Sequence, residues 1–192
     1  MLKKLYDWTI AKAESPASEK WLAGLSFAES SFFPIPIDLM MIPMILARPA
    51  QAFRLASITL IASVLGALFG YMIGALLFEA IGQPILELYG YQEAFATFQQ
   101  NYADYGILII LVAGFTPIPF KVVTIASGVV SMNPFVFFLT SIPARGARFY
   151  LVAALLWKFG DPIREFIEKR LGLVTTAFVA LGIAGFAVIK FL

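Results

Sequence analysis

The chain has 192 residues, of which 60 % are hydrophobic and 14 % charged, with a formal net charge of +2. Globular domains average about 45–50 % apolar and about 25 % charged residues, so the composition indicates an integral membrane protein. Cysteine and histidine are absent, which excludes disulfides, thiol nucleophiles, histidine catalysis and most transition-metal sites. We therefore predict no cofactor and no metal, and the small net charge gives no reason to expect a nucleic acid partner.

Two segments open the chain. Residues 1–20 place Leu2, Leu5 and Trp8 among lysines, a pattern typical of a helix lying on the membrane surface, with a partly disordered terminus as the alternative. Residues 21–47 are hydrophobic but contain Pro34 and Pro36. Two prolines spaced i, i+2 remove two backbone donors and break a helix.

The arms on either side of that break are each shorter than the ~20 residues that a spanning helix needs. Broken backbone survives in lipid only where protein or a water-filled cavity surrounds it. The segment 21–47 is therefore predicted to be a re-entrant hairpin.

The segment 55–78 carries no charge and is long enough to cross a bilayer. Gly66, Gly70 and Gly74 recur on one of its faces, and such a face lets another backbone approach closely. Either a sliding surface or tight helix packing explains this pattern. The polar and aromatic stretch 82–105 that follows is predicted to lie at the level of the lipid headgroups.

A second broken segment, 107–132, repeats the first. The pentapeptide 32–36 (FFPIP) returns at 115–119 (FTPIP) with Pro117 and Pro119, and each copy has an ionisable residue two places later, Asp38 or Lys121. Two broken hydrophobic segments in corresponding halves are typical of an inverted-repeat transporter, whose binding site lies where the breaks meet.

The last third of the chain begins with Asn133 and Pro134, a helix start. The helix that follows, about 134–157, carries Arg145 and Arg148 near its middle. An amphipathic helix and a final span over 173–189 complete the chain. The predicted fold is all-α, with two re-entrant hairpins, about three transmembrane helices and interfacial helices.

The layout is a single membrane domain over 1–192. Its parts are an interfacial segment (1–20), a first repeat (21–82), an interfacial connection (83–105), a second repeat (106–159) and the terminal helices (160–192). If both broken segments are re-entrant hairpins, ten Lys and Arg residues lie on one face of the membrane, whereas the connection 82–105 on the other face has none. The positive-inside rule then predicts a cytoplasmic amino terminus. The expected location is a bacterial inner membrane.

Five ionisable residues remain at membrane depth, where each costs at least about 2.5–3.5 kcal/mol. They are Glu29, Asp38, Lys121, Arg145 and Arg148. Two carboxylates and three cations in one polar cavity suit an anion, and Arg grips phosphate with a planar fork. We expect the two arginines to leave positive charge for a substrate phosphate. Two alternatives stay open: the carboxylates only neutralise the cations, or their protonation couples substrate to proton flow.

The order of these motifs resembles the DedA family, also called the SNARE-associated or VTT-domain family, and most of all its short YqaA-type members. The likeness covers roughly residues 20–160: Glu29, the first proline motif with Asp38, the glycine-patterned helix, the segment 114–121, Gly128 and the Arg145/Arg148 helix. It implies an inverted repeat with two re-entrant hairpins and a role in moving lipids between leaflets.

The resulting functional hypothesis is a transporter or scramblase for a lipid with an anionic or phosphate-bearing headgroup, with proton coupling and homo-oligomerisation left open. One alternative is a proton-coupled transporter of a soluble solute; another is a scaffold without transport. An enzyme is not expected, because no nucleophile system or metal-ligand set is recognisable.

Overall fold

The computed structural model describes residues 17–33, 36–90, 92–116, 119–160 and 162, and within these ranges the chain forms helices and turns without strands. The helices are α1 (Ser18–Ser31), α2 (Asp38–Ala47), α3 (Ala52–Leu77), α4 (Gln83–Tyr89), α5 (Gln92–Phe115), α6 (Phe120–Val129) and α7 (134–160). A 3₁₀ turn, Pro49–Gln51, precedes α3, and a π-helical turn, Phe78–Gly82, follows it. Most of the expected surface segment 1–20, and the expected amphipathic helix and final span, lie outside the described residues.

The helices end where the prolines predict. α1 stops at Ser31 and α2 begins at Asp38, just after Pro36. α5 stops at Phe115, and α6 begins directly after Pro119. Pro34 and Pro117 lie outside the described residues. Each of the two broken segments thus consists of two helical arms, which we call the first bent pair (α1 and α2) and the second bent pair (α5 and α6).

The longest helices, α3 and α7, run antiparallel along each other. Their contacts join early residues of one to late residues of the other: Tyr71 with Phe137, Ser57 with Tyr150, and Phe53 with Trp157. At the start of α7 the Asn133 side chain accepts hydrogen bonds from the backbone N–H groups of Phe135 and Val136 at 3.0 and 3.2 Å, which is the predicted cap.

Helices α1 and α6 lie in line along α3. α1 runs parallel to the first half of α3, since the Ser26 hydroxyl donates to Thr59 O at 2.7 Å and the Ser31 hydroxyl donates to Gly66 O at 2.8 Å. α6 packs on the second half, where Tyr71 donates to Met132 O at 2.5 Å. α3 therefore forms a common support for one arm of each bent pair.

The glycines of α3 make this close packing possible. A Cβ added at Gly66 would lie 2.1 Å from the carbonyl oxygen of Phe27 in α1, and one at Gly74 would lie 2.1 Å from that of Ile125 in α6. Gly70 sits between them, beside Thr124 of α6 and Ser30 of α1. No side chain fits at these distances, so the glycine face of α3 is a packing surface for both arms.

The two bent pairs approach this support from its opposite ends. The outer ends of α1 and α2 meet where Arg48 donates to the Ser18 hydroxyl at 2.7 Å. The arms of the second pair meet near the other end of α3, where the hydroxyls of Tyr102 and Ser127 lie 2.7 Å apart. The two breaks consequently come together at the middle of α3.

The surface of α3 that faces away from the protein is apolar. Ile61, Leu65, Met72 and Leu76 are each at least half exposed, whereas soluble monomers rarely expose such a continuous apolar patch. By length and composition, the helical stretch Pro49–Leu88 is able to cross a membrane. These features fit an α-helical membrane protein.

One helix differs from the expected layout. α5 continues without a break from Gln92 to Phe115, across the expected boundary between the connection (83–105) and the second repeat (106–159). No proline lies between Pro84 and Pro117, so the backbone has no reason to stop there. The residues 83–105 accordingly comprise α4 and the first half of α5, and α4 ends at Gly90 in a left-handed conformation.

A polar layer separates two apolar clusters at mid-height. One cluster includes Leu22, Leu55 and Phe149, and the other includes Ala67 and Phe137. Between them lie buried polar residues from several helices, listed here: Glu29, Ser30, Asp38, Ser63, Thr124 and Arg145. This layer coincides with the meeting point of the two breaks.

Candidate functional site

The polar layer brings together the five ionisable residues predicted from the sequence. Glu29 comes from the end of α1, Asp38 from the first turn of α2, and Lys121 from the first turn of α6. Arg145 and Arg148 come from the middle of α7. The two prolines spaced i, i+2 in each bent pair end the helices at this depth, which is why short arms deliver charged side chains to the centre of the molecule.

Arg145 forms the more enclosed ion pair. Its guanidinium lies 2.7 Å from Glu29 Oε2, and its Nε donates to the Ser63 hydroxyl at 2.8 Å. The rings of Phe120 and Phe149 have their centroids 4.9 and 4.6 Å from the guanidinium carbon, a cation–π arrangement. Arg145 is only 2 % exposed, so its charge is satisfied entirely within the protein interior.

Arg148 forms the second ion pair and joins the two breaks. One guanidinium nitrogen donates to Asp38 Oδ2, at the start of the first pair's second arm. The other donates to the carbonyl oxygen of Thr116 at 2.6 Å, in the break of the second pair. Through this fork, a single side chain on α7 holds both bent pairs at once.

This second pair is less complete than the first. Asp38 Oδ1 and the Thr116 hydroxyl are both buried, and among the described residues neither has a hydrogen-bond partner. Most buried polar atoms in folded proteins are paired, so an exception calls for an explanation. The region around Arg148 therefore has unused hydrogen-bonding capacity that the region around Arg145 lacks.

Lys121 links the breaks directly. Its ammonium donates to the carbonyl oxygen of Phe33 at 2.8 Å, just before the first proline pair. Alongside it, the Thr124 hydroxyl is 3.1 Å from Ser30 O. Within the described residues Lys121 has no carboxylate at ion-pair distance, so it is half-buried with its charge unmatched.

The pairing corrects one expectation from the sequence. We expected Arg145 and Arg148 to leave positive charge for a phosphate, but each is matched by one carboxylate. With two carboxylates and three cations, the formal excess of +1 falls on Lys121. The physical reason is that both acids come from the first bent pair and lie opposite the two arginines of α7, whereas Lys121 of the second bent pair reaches across to a carbonyl oxygen.

Several partners in the site carry no formal charge and were not predicted as site residues. Ser63 accepts from Arg145, Phe33 accepts from Lys121 through its backbone, and Thr116 accepts from Arg148 in the same way. Ser63 lies on the glycine face of α3, and Thr116 lies inside the repeated pentapeptide. The glycine pattern and the repeated pentapeptide therefore marked both positions in the sequence. Neither pattern shows which side chain the position contacts.

Comparison with known proteins gives a family and uncharacterised relatives. The family model of the VTT domain matches residues 35–158. The chain is 36 % identical over 186 residues to an uncharacterized protein of Haemophilus influenzae, covering 97 % of this chain and 96 % of that one. It is 38 % identical over 168 residues to the "Uncharacterized protein HI0703 homolog" of Histophilus somni, covering 85 % and 87 %. No solved structure matches the chain.

Proposed function

Because the chain belongs to the VTT-domain family, also called the DedA family, and has a transporter-like architecture in the membrane, we propose that it moves a phosphate-bearing lipid between the two leaflets. Moving a lipid between leaflets makes and breaks no covalent bond, so we propose a transporter and not an enzyme. The partners are lipids with anionic headgroups, and protons are the candidate coupling ion.

The observation that carries this proposal is the unmatched charge at the meeting point of the breaks. Lys121 is held by a carbonyl oxygen rather than by a carboxylate. A carbonyl is a weaker partner for an ammonium than an anion is, because an anion adds the Coulomb attraction between two full charges. A lipid phosphate entering from the bilayer is able to replace Phe33 O and gain a full ion pair.

The two carboxylates fit a coupling role for protons. Protonation of Asp38 removes the charge that holds Arg148, and Arg148 is the side chain that joins both breaks. A released Arg148 adds a bidentate phosphate ligand beside Lys121. Protonation of Asp38 and separation of the two bent pairs then occur together.

The proposed topology is that of two re-entrant hairpins entering from opposite membrane faces. In support, Lys20, Arg48 and Arg54 lie at the end of α3 where the first bent pair begins and returns. The stretch 55–120 contains four acidic residues and neither Lys nor Arg. By the positive-inside rule the basic end is cytoplasmic, which gives a cytoplasmic amino terminus in the bacterial inner membrane.

The topology is tested by labelling single cysteines, since the chain has none of its own. Cysteines introduced next to Arg54 and next to Glu87 are expected to react with a membrane-impermeant reagent from opposite sides. If both cysteines react from the same side, the proposed hairpin arrangement and the proposed orientation are both wrong.

The transport proposal is tested with the purified full-length protein in phosphatidylcholine vesicles. A trace of fluorescent phospholipid reports movement through its quenching by dithionite, and a fluorescent diacylglycerol without phosphate serves as the second substrate. We expect faster movement of the phospholipid than in empty vesicles and no effect on the diacylglycerol, and Lys121→Met should slow the phospholipid at least about tenfold. Lys158→Met is the matched control, because Lys158 is exposed at the far end of α7.

Three results would contradict the proposal. Equal acceleration of both lipids would show that phosphate is not recognised. No lipid movement, with uptake of a soluble solute driven by a proton gradient, would favour solute transport. No movement of any compound by a well-folded protein would favour a scaffold, in which the ion pairs only hold the fold.

A further inference from the structure

A groove lined by both apolar and polar side chains lies along α5 at the end of the molecule opposite the basic end, away from the ion pairs. It consists of two neighbouring cavities of about 350 and 290 Å³, close to the lower end of the 300–1,000 Å³ range usual for small-molecule sites. Gln99 lines both cavities, so the two form one groove on either side of its side chain.

One face of α5 forms the floor of the groove. Gln92, Phe95, Gln99 and Tyr102 are spaced i, i+3, i+7 and i+10 and all line it, as expected for residues on one side of a helix. The walls come from α4, the π-helical turn and the loop before α7; they include Phe78, Gln83, Glu87, Ser131 and Asn133. Ser131 has a φ of 55° because it ends α6 in the left-handed conformation, with its N–H donating to Gly128 O and that of Met132 donating to Ser127 O.

The chemistry of the lining selects a class of ligand. Three side-chain carboxamides, those of Gln83, Gln92 and Gln99, each offer donors and an acceptor, and Asn133 offers its amide NH₂ because its oxygen caps α7. Phe78, Phe95 and Tyr102 add aromatic surface. Gln99 is half-buried, and the described residues offer its carboxamide no hydrogen-bond partner. Paired donors and acceptors beside aromatic rings suit neighbouring hydroxyl groups on a ring.

The local charge argues against an anion. Between Arg54 and Lys121 the chain has no Lys or Arg, but it has Glu79, Glu87, Glu93 and Asp104. Glu87 lines the groove, and the described residues that line it include no Lys or Arg, so a bare phosphate would face a carboxylate without a cation from this part of the chain. We propose that this groove binds an uncharged polyhydroxyl group, such as the sugar of a glycolipid headgroup or a free oligosaccharide. The proposed site is separate from the ion pairs and does not depend on lipid transport.

The test uses the full-length protein in phosphatidylcholine nanodiscs, because common maltoside detergents carry the proposed ligand group themselves. Saturation-transfer NMR measures contact with free maltose, and the same discs containing monoglucosyl diacylglycerol report a lipid-borne sugar. Inorganic phosphate and spermidine are the charged comparison probes. Binding of maltose identifies a soluble sugar as ligand, whereas binding of the glycolipid alone identifies a headgroup; both outcomes support the site.

Neighbouring glutamines provide a matched pair of variants. Gln99→Leu keeps most of the side-chain volume but removes the carboxamide from the groove, and it should weaken sugar binding about tenfold. Gln100→Leu changes an exposed residue that does not line either cavity and should leave binding unchanged. Absence of binding to both sugars, equal loss in the two variants, or binding of phosphate or spermidine in place of sugar would each overturn the proposal.

Discussion

The ion pair Glu29–Arg145 and the ion pair Asp38–Arg148 lie one helical turn apart on α7, yet their surroundings differ. The first is enclosed by Ser63 and two phenylalanine rings. The second bridges the two bent pairs, and among the described residues one oxygen of the buried Asp38 has no hydrogen-bond partner. We therefore propose different roles for these similar residues: the first pair holds the fold, and the second pair opens during transport.

The difference follows from what each arginine contacts. Arg145 binds α1 and α3, two helices that already pack closely through the glycine face. If the contacts of Arg145 are broken, α1 and α3 are still held together by this close packing. Arg148 binds the first turn of α2 and the residue that follows α5, one beside each break. We propose that loss of its charge partner frees the two bent pairs to move apart.

The largest expected effect comes from Arg145→Met. It leaves Glu29 buried without a partner, and removing one member of a buried ion pair typically costs about 3–5 kcal/mol. We expect a large drop in the thermal unfolding temperature of the detergent-solubilised protein. The double variant Glu29→Gln/Arg145→Met removes both charges and should recover much of the loss. A stable Arg145→Met protein that has lost only transport would mean that the first pair, too, serves the substrate.

From the sequence alone, we expected both arginines to serve the substrate, because the sequence gives no ground for distinguishing them. The spacing i, i+3 places both on one helical face, and nothing in the sequence distinguishes the acid that meets each of them. Burial and aromatic neighbours separate them, and both depend on tertiary packing.

A moderate effect on stability and a large effect on transport are expected for Arg148→Ala. The pair is slightly less buried than the first, with 13 % and 12 % of its two side chains exposed against 3 % and 10 %, so its loss should cost less than the roughly 3–5 kcal/mol typical of a fully buried pair. Transport of a fluorescent phospholipid in vesicles should fall at least about tenfold, because the side chain that joins the breaks is gone. Arg148→Lys keeps the charge without the fork and should retain part of the rate.

Two results would count against this assignment. Wild-type transport by Arg148→Ala would mean that the bridge between the breaks is not used. Unfolding as severe as that of Arg145→Met would mean that both pairs are structural, and the contrast between them would disappear.

The sequence predicted the positions of the breaks well, because proline acts locally and needs no tertiary information. Pro36 and Pro119 directly precede new helical arms. The charged residues of the site were also accessible to prediction, since a charge in an apolar segment stands out. The partners were not accessible: a carbonyl such as Phe33 O exists at every residue, and only the fold decides that Lys121 meets this one.

The course of α5 shows a second limit of prediction. Polar and aromatic residues over 83–105 indicated a separate surface helix, but composition does not end a helix. The helix continues through Gly106 to Phe115, because its backbone hydrogen bonds are uninterrupted until the next proline. The change in composition marks a change in environment along one helix.

The smallest expected effects compare one hydroxyl beside each pair, that of Ser63 and that of Thr116. Ser63 accepts from Arg145 and contacts Ser30, so Ser63→Ala should lower stability by about 1–2 kcal/mol. Thr116→Val keeps the shape and removes a buried hydroxyl that has no partner among the described residues, so stability should stay the same or rise slightly. Since an unpaired buried hydroxyl in this conformation suggests a use in another, we expect the same variant to slow lipid movement severalfold. Thermal unfolding and vesicle transport of both variants measure the difference. If Thr116→Val destabilises the protein as much as Ser63→Ala does, the Thr116 hydroxyl has a partner in the folded protein, and the surroundings of the two pairs are equally satisfied.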